Sequence, residues 1–347
     1  MQPTIHKFGG AALADGAGFR RVCSLLAAVR GQRPVAVVSA SKGVTKSLEH
    51  YAREAARGRA DTEGVRIRHR TLLTQLGIEQ DLLGRNLREL ALVLESVAER
   101  RELTAAQRDF VLSIGERMSA RILARALRDS GMAATPVDAF DLGLVSDSNH
   151  GRARPLPESG ARIRAVLEGM PGIPVVTGFV AADSTGTVTT LGRNGSDLTA
   201  SLLAEALAAR EVQFWKPVGG VMTADPAWVP KAREIERLGY DEAHAYAQAG
   251  ARVLHPDAVP PLQRAGIEAR VRSILAPQAA GTIISSRPAG GAIGIAGRER
   301  EGQWVLRLVG DCAMEERVTA AMVAQRARAL HARHFELASS EIVRSAR

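Results

Sequence analysis

The sequence predicts an α/β layer fold with a mainly parallel sheet, and three observations predict it. Short β-branched runs alternate with stretches of helical periodicity, the pattern that lays helices against a parallel sheet. Glycine turns repeatedly follow those runs, where such sheets bind ligands, beyond the carboxyl ends of their strands. The 347 residues are 46% apolar, enough for a sizeable core and too long for one ordinary domain.

Thr4–Phe8 alternates and ends in Gly9-Gly10, a strand entering a glycine turn. A helical pattern follows around 19–29, and 34–39 (PVAVVS) reads as a buried strand. Residues 46–130 are mostly helical, with apolar residues recurring at three and four and Arg and Glu between them. Residues 136–141 and Val145 suggest short strands, and 148–158 (SNHGRARPLPE) a loop or exposed hairpin. An apolar strand spans 173–180, with Pro174 near its start. Residues 188–190 lead into a turn at 191–196, a helix over 197–209 and a strand at Glu211–Lys216. Near 285 the composition becomes small and glycine-rich (SSRPAGGAIG), a linker signal. Beyond it lie a strand-like stretch at 304–309 and a helix at 315–334, too few residues for a large core of their own. The expected organisation is a main domain over 1–285 and a short appendage over 286–347, a docking arm or dimerisation element.

The formal charge is +9, which attracts anions in general. The arginines are scattered through helical patterns among Glu and Asp, not gathered in a stripe with aromatic partners, so no nucleic-acid partner is expected. Cys23 and Cys312 sit in apolar stretches with no ligand neighbour at useful spacing, so neither a disulfide framework nor a metal site is expected. The start, MQPTIHKFGG, has no apolar signal core, and no run reaches membrane-spanning length. A soluble protein in the reducing cytoplasm, with no membrane partner, is the expectation.

Three glycine turns carry the chemistry: Gly9-Gly10, residues 39–43 (SASKG) and residues 192–197 (GRNGSD) before a helix. Glycines let backbone N–H groups approach an anion, and a helix N-terminus adds a favourable dipole. Each stands beside a Lys or Arg, which points to phosphate. Neither the P-loop spacing nor a GxGxxG fingerprint is present.

With these turns stand further motifs in order: KFGG with Ala14-Asp15 after it, VSASKGVT, SIGERMSARI, VVTGF, TTLGRNGSDLTASLLAEAL, GVMTADP and YDEAHAYAQAGARVLHP. Together they resemble the catalytic domain of aspartate kinase over residues 4–285. GIAGRE after them resembles the opening of that family's ACT regulatory region, of which the remaining chain has room for one truncated unit. The resemblance implies a three-layer α/β/α amino-acid-kinase fold. It also implies ATP and Mg2+ as cofactors, and phosphorylation of the side-chain carboxylate of L-aspartate to an acyl phosphate. By the same resemblance Lys7 neutralises the transferring phosphoryl group, and Asp197 orients Lys7 or the phosphates. Gly9, Gly10 and Ser39 cradle phosphate, and Lys216, Met222 and Arg252 stand on the nucleotide side. Arg193 grips a substrate carboxylate, Glu116 meets the substrate ammonium, and Thr45 and Ser196 complete the acceptor subsite. The reaction needs no base, so His255 in VLHP is read as satisfying its turn.

Two readings of single residues stay open in the sequence: Glu116 as an ion-pair partner of Arg117 or Arg121, and Asp197 as a helix cap. The chain departs from the family pattern at Ala11-Ala12, Asn194, Pro217, Met222, Ala227 and Arg252, mostly on the nucleotide side. Alternatives are therefore a kinase of an aspartate-like carboxylate in specialised metabolism and a non-catalytic binding or regulatory paralogue. The family associates through ACT units and this tail is short, so a homodimer is left open.

Overall fold

The computed structural model describes residues 2–251, 254–310 and 313–336. It divides into two compact units, Met1–Pro217 and Val218–Arg347. That division falls inside the region expected to form the main domain.

The first unit contains β1 (Thr4–Phe8), α1 (Gly16–Ala28), β2 (Pro34–Val38), α2 (Val44–Ala55), α3 (Glu63–Leu76), α4 (Gly84–Arg100) and α5 (Ala105–Asp129). There follow β3 (Ala134–Val137), α6 (Ser159–Glu168), β4 (Ile173–Thr177), β5 (Val180–Ala182), β6 (Val188–Thr190), α7 (Gly195–Leu207) and β7 (Glu211–Lys216). Its sheet runs β3-β4-β2-β1-β7, with every neighbouring pair parallel. β1, β2 and β4 are buried along their whole length, which is why PVAVV and IPVVT read as continuous apolar runs without alternation. Helix α5 packs over β3 and β4, and α7 over β1 and β7.

The helical block expected over 46–130 resolves into α2, α3, α4 and α5. Thr104 and Gln107 close a capping box at the start of α5, satisfying orphan N–H groups. Two strands differ from expectation. The strand expected over 136–141 is instead Ala134–Val137, and the chain then turns tightly, with the Leu144 N–H donating to the Ala139 carbonyl. The strand expected over 173–180 breaks at Gly178-Phe179, where Phe179 adopts φ 70° and the chain turns into the β5–β6 hairpin.

The second unit contains β8 (Arg237–Gly239), α8 (Tyr240–Gln248), α9 (Val259–Ala265), β9 (Glu268–Ser273) and β10 (Thr282–Ser285). It continues with β11 (Ala292–Arg300), β12 (Gln303–Gly310), β13 (Met314–Val318) and α10 (Val323–His331). β10 pairs antiparallel with β9 and parallel with β8, while β11, β12 and β13 form an antiparallel meander. The helix expected over 315–334 is corrected here. Its start, residues 315–318, instead extends as part of β13 because it pairs with β12, and only Val323–His331 is α-helical among the described residues. One apolar cluster joins Ala224 and Val229 to Ile295, Leu306, Leu308, Val323 and Leu330, so this core draws on sequence from both sides of the glycine-rich stretch. Cys23 is buried in the first unit, and burial pushes its thiol up to about 11; Cys312 lies outside the described residues. No helix among the described residues is long and apolar enough to cross a membrane.

Candidate active site

A cavity of about 710 Å³ opens in the first unit beyond the carboxyl ends of β1, β2 and β7. β1 supplies Lys7, and the turn after it supplies Gly9 and Gly10. A Cβ on Gly10 would run into the Ala40 carbonyl oxygen, and the Gly10 carbonyl accepts from the Lys42 N–H at 2.9 Å. The turn after β1 is therefore clasped by the turn after β2, and only glycine fits there. Gly9 is less constrained, since a Cβ there would sit at ordinary contact distance from Lys7 Nζ. Ser39 at the end of β2 donates to Ser196 Oγ at 2.9 Å, joining the second turn to the start of α7.

Asp197, in the first turn of α7 and 1% exposed, stands between two ammonium groups. Lys7 Nζ is 2.7 Å from its Oδ1, and Lys216 Nζ, at the end of β7, is 3.6 Å from its Oδ2. The cap position belongs to Asn194 at φ 64°, so the carboxylate of Asp197 serves the lysines and not the helix end. Burial pushes the Lys216 ammonium below its usual range, Asp197 opposes that shift, and Lys7 adds to it. Asp197 thus holds together two like charges that would otherwise repel.

Glu116 comes from the middle of α5. A Cβ on Gly115 would press on the Ala40 side chain, so this helix passes close over the turn after β2. Glu116 is 4% exposed, accepts from the Ala40 N–H, and its Oε2 has no hydrogen-bond partner among the described residues. Burial pushes its carboxyl up to about 8, against the lowering effects of the Ala40 N–H and the Lys7 charge. The ion-pair reading of Glu116 is not what the structure holds. Arg117 Nε and Arg121 Nη1 reach Asp138 at 3.0 and 2.6 Å, which leaves Glu116 facing the cavity.

Thr45 on the first turn of α2 and Arg193 in the 192–195 turn also line the cavity. Arg193 is exposed and has no ion-pair partner among the described residues. The lining carries Lys7, Lys42, Lys46, Arg53, Arg108, Arg193 and Lys216 against Glu49 and Glu116, a surplus of positive charge suited to polyanions. Pro217 and Ala11 line it as well. Of the remaining expected site residues, Met222 belongs to the second unit, where its carbonyl accepts from Tyr246 Oη at 2.8 Å. Arg252 lies outside the described residues. His255 satisfies its turn as expected, its Nδ1 accepting from the Asp257 N–H.

Two residues escaped the sequence reading. Glu49 on α2 holds Arg108 of α5 at 2.8 Å and Arg53 at 2.9 Å, tying together one wall of the cavity. Asp109, fully buried on α5, accepts from the N–H groups of Gly151 and Thr190, the Thr190 hydroxyl and His150. It fixes the loop over 148–153 and the end of β6, from which the Arg193 turn departs. An acid at helical spacing from Leu112, Ser113 and Glu116 was the signal available in the sequence.

The Amino acid kinase family matches residues 2–273. "Aspartokinase 1, chloroplastic" of Arabidopsis thaliana is 34% identical over 293 residues, covering 81% of this chain and 52% of its own length. "Lysine-sensitive aspartokinase 3" of Escherichia coli (strain K12) is 34% identical over 296 residues, covering 82% of this chain and 64% of its own. The crystal structure of E. coli aspartokinase III in complex with aspartate and ADP superposes with a TM-score of 0.77 at 30% identity, over 86% of this chain and 68% of that one. The chain spans roughly half to two thirds of the length of these curated relatives.

Proposed function

The chain belongs to the amino acid kinase family, and from that premise we propose that it transfers the γ-phosphoryl group of ATP to the side-chain carboxylate of L-aspartate. One observation carries this reading: a buried Lys7–Asp197–Lys216 cluster shares a cavity with Glu116 and Arg193. The first group suits a transferring phosphoryl, and the second suits an amino acid that is both cation and anion. The aspartokinase III structure named above carries aspartate and ADP, which supports the same division of the site.

A carboxylate oxygen of aspartate attacks the γ-phosphorus while the bond from that phosphorus to the β,γ-bridging oxygen breaks. The products are 4-phospho-aspartate and ADP. The carboxylate is already a nucleophile, so no base is required, and the work is positioning and charge neutralisation. Lys7 and Lys216 neutralise charge on the phosphoryl oxygens, and Asp197 keeps both ammonium groups aimed. The turns at Gly10 and Ser39 bring backbone N–H groups close to phosphate. Glu116 meets the substrate ammonium, whose arrival supplies the partner that Oε2 lacks. Arg193 takes a carboxylate with its fork of donors.

Both Asp197 oxygens face ammonium groups, and no cluster of three acidic, His or Cys side chains that could cage a metal occurs among the described residues. That donor set suits a Mg2+ carried on phosphate oxygens and waters, supplying charge neutralisation when bound.

The test is a coupled ADP-release assay with aspartate and with aspartate-like carboxylates. Aspartate-dependent ADP release is expected. Turnover with an analogue and not with aspartate would replace the acceptor. Measurable aspartate binding with no turnover on any acceptor would make the chain a regulatory paralogue.

A further inference from the structure

On the first unit a second cavity of about 310 Å³ lies between α3 and α4, and its lining differs in kind from that of the active site. It contains Arg66, Arg70 and Arg88 and no acidic residue. Among the described residues Arg66 has one ion-pair partner, Glu63, at 3.7 Å. Arg70 and Arg88 have no ion-pair partner among the described residues, unlike Arg85 of α4 with Glu89 and Arg117 of α5 with Asp138. Unpaired arginines converging on one hollow repel one another unless an anion joins them.

Gly84, the first residue of the 17-residue helix α4, also lines the cavity, and α4 has neither a side-chain cap nor an acid in its first turn. The positive end of its dipole is therefore directed at the same space.

His69 supplies the independent observation. It lines the cavity yet is only 1% exposed. Its Nδ1 lies 2.8 Å from the Val65 carbonyl, which can only accept, so Nδ1 carries the proton. Nε2 is then a lone-pair acceptor, and it is buried without a hydrogen-bond partner among the described residues. Burial holds the ring neutral, pushing it down to about 4. A buried acceptor beside unpaired donors asks for a ligand that both accepts and donates.

We propose that the α3–α4 cavity binds a phosphate group that retains one hydroxyl, its oxygens taken by Arg70 and Arg88 and its hydroxyl donated to His69 Nε2. Leu73 and Leu83 offer apolar surface beside the anion, which would suit the organic part of a phosphomonoester.

The test is calorimetric titration of the full chain at pH 6.5 with inorganic phosphate, phenyl phosphate and sulfate. The same titrations are run on Arg70→Gln/Arg88→Gln, on His69→Phe and on Lys7→Ala. Phosphate binding should survive Lys7→Ala and weaken roughly tenfold or more in the arginine double variant, whose exposed positions leave the fold intact. Sulfate, which has no proton to give, should bind more weakly than phosphate to the parent chain and no more weakly to His69→Phe. Tighter binding of phenyl phosphate than of phosphate identifies an ester as the natural ligand, and equal binding identifies free phosphate. Equal phosphate affinity in the parent and the arginine double variant overturns the proposal. So does loss of all phosphate binding in Lys7→Ala, or sulfate binding as tightly as phosphate.

Discussion

Replacing Glu116 with Gln should make the ligand-free protein more stable while impairing aspartate binding. The carboxyl is buried, accepts from the Ala40 N–H, and has no hydrogen-bond partner for Oε2 among the described residues. Its ordinary value of 4.5 rises to about 8 in the folded chain. Below pH 4.5 the group is protonated in both folded and unfolded chains, and Gln gains nothing over it. Between 4.5 and about 8 the unfolded chain loses the proton and the folded chain keeps it, so stability falls as pH rises and levels off above that window. At about 1.4 kcal/mol per pH unit the gap sets a ceiling of about 5 kcal/mol. Relaxation and water entering the cavity reduce this, and a difference of about 2–4 kcal/mol at pH 9 is expected. Urea denaturation of both proteins at pH 5 and pH 9 without ligand measures it. Midpoints should nearly coincide at pH 5, and the Gln variant should lead at pH 9. A Gln variant equal to or weaker than the parent at pH 9 refutes the reasoning, as does a difference independent of pH.

Three further outcomes follow from the same geometry. Lys7→Ala should lower turnover by about 100- to 1,000-fold or more while leaving the calorimetric affinity for aspartate nearly intact; a large loss of aspartate binding would move Lys7 to the acceptor subsite. Asp197→Asn leaves Lys7 and Lys216 buried together without their counter-charge, and should cost about 3–5 kcal/mol by urea denaturation. A loss below about 1 kcal/mol would mean that the lysines separate freely. Gly10→Ala forces its Cβ into the Ala40 carbonyl and should cost about 1–3 kcal/mol along with most of the turnover, whereas Gly9→Ala should be milder on both counts.

Much of this was legible in the sequence because the signals are local. A parallel strand buried on both faces reads as a continuous apolar run, which placed β2 and the start of β4, while the β4 run was read three residues too long, across Gly178. The glycine turns marked the cavity because close backbone approach leaves few other residues able to stand there. What the sequence left hidden depends on tertiary partners. MEERV has an amphipathic helical look until β12 offers it a strand edge. The choice between Glu116 paired on its own helix and Glu116 facing a ligand turns on Asp138, which takes both arginines from a turn lying 17 to 21 residues downstream of them in the chain. Asp109 looked like an ordinary polar interruption in α5. Its four hydrogen-bond donors arrive from residues 150, 151 and 190, far along the chain.

The central claim is that a carboxylate accepts the phosphoryl group, and trapping the product tests it most directly. An acyl phosphate reacts with hydroxylamine to give a hydroxamate, which a simple ATPase cannot produce. The protein incubated with Mg-ATP, L-aspartate and hydroxylamine should accumulate aspartyl hydroxamate in step with ADP, and Lys7→Ala should yield neither. ADP release without hydroxamate, or hydroxamate formed from another carboxylic acid and not from aspartate, would contradict the account.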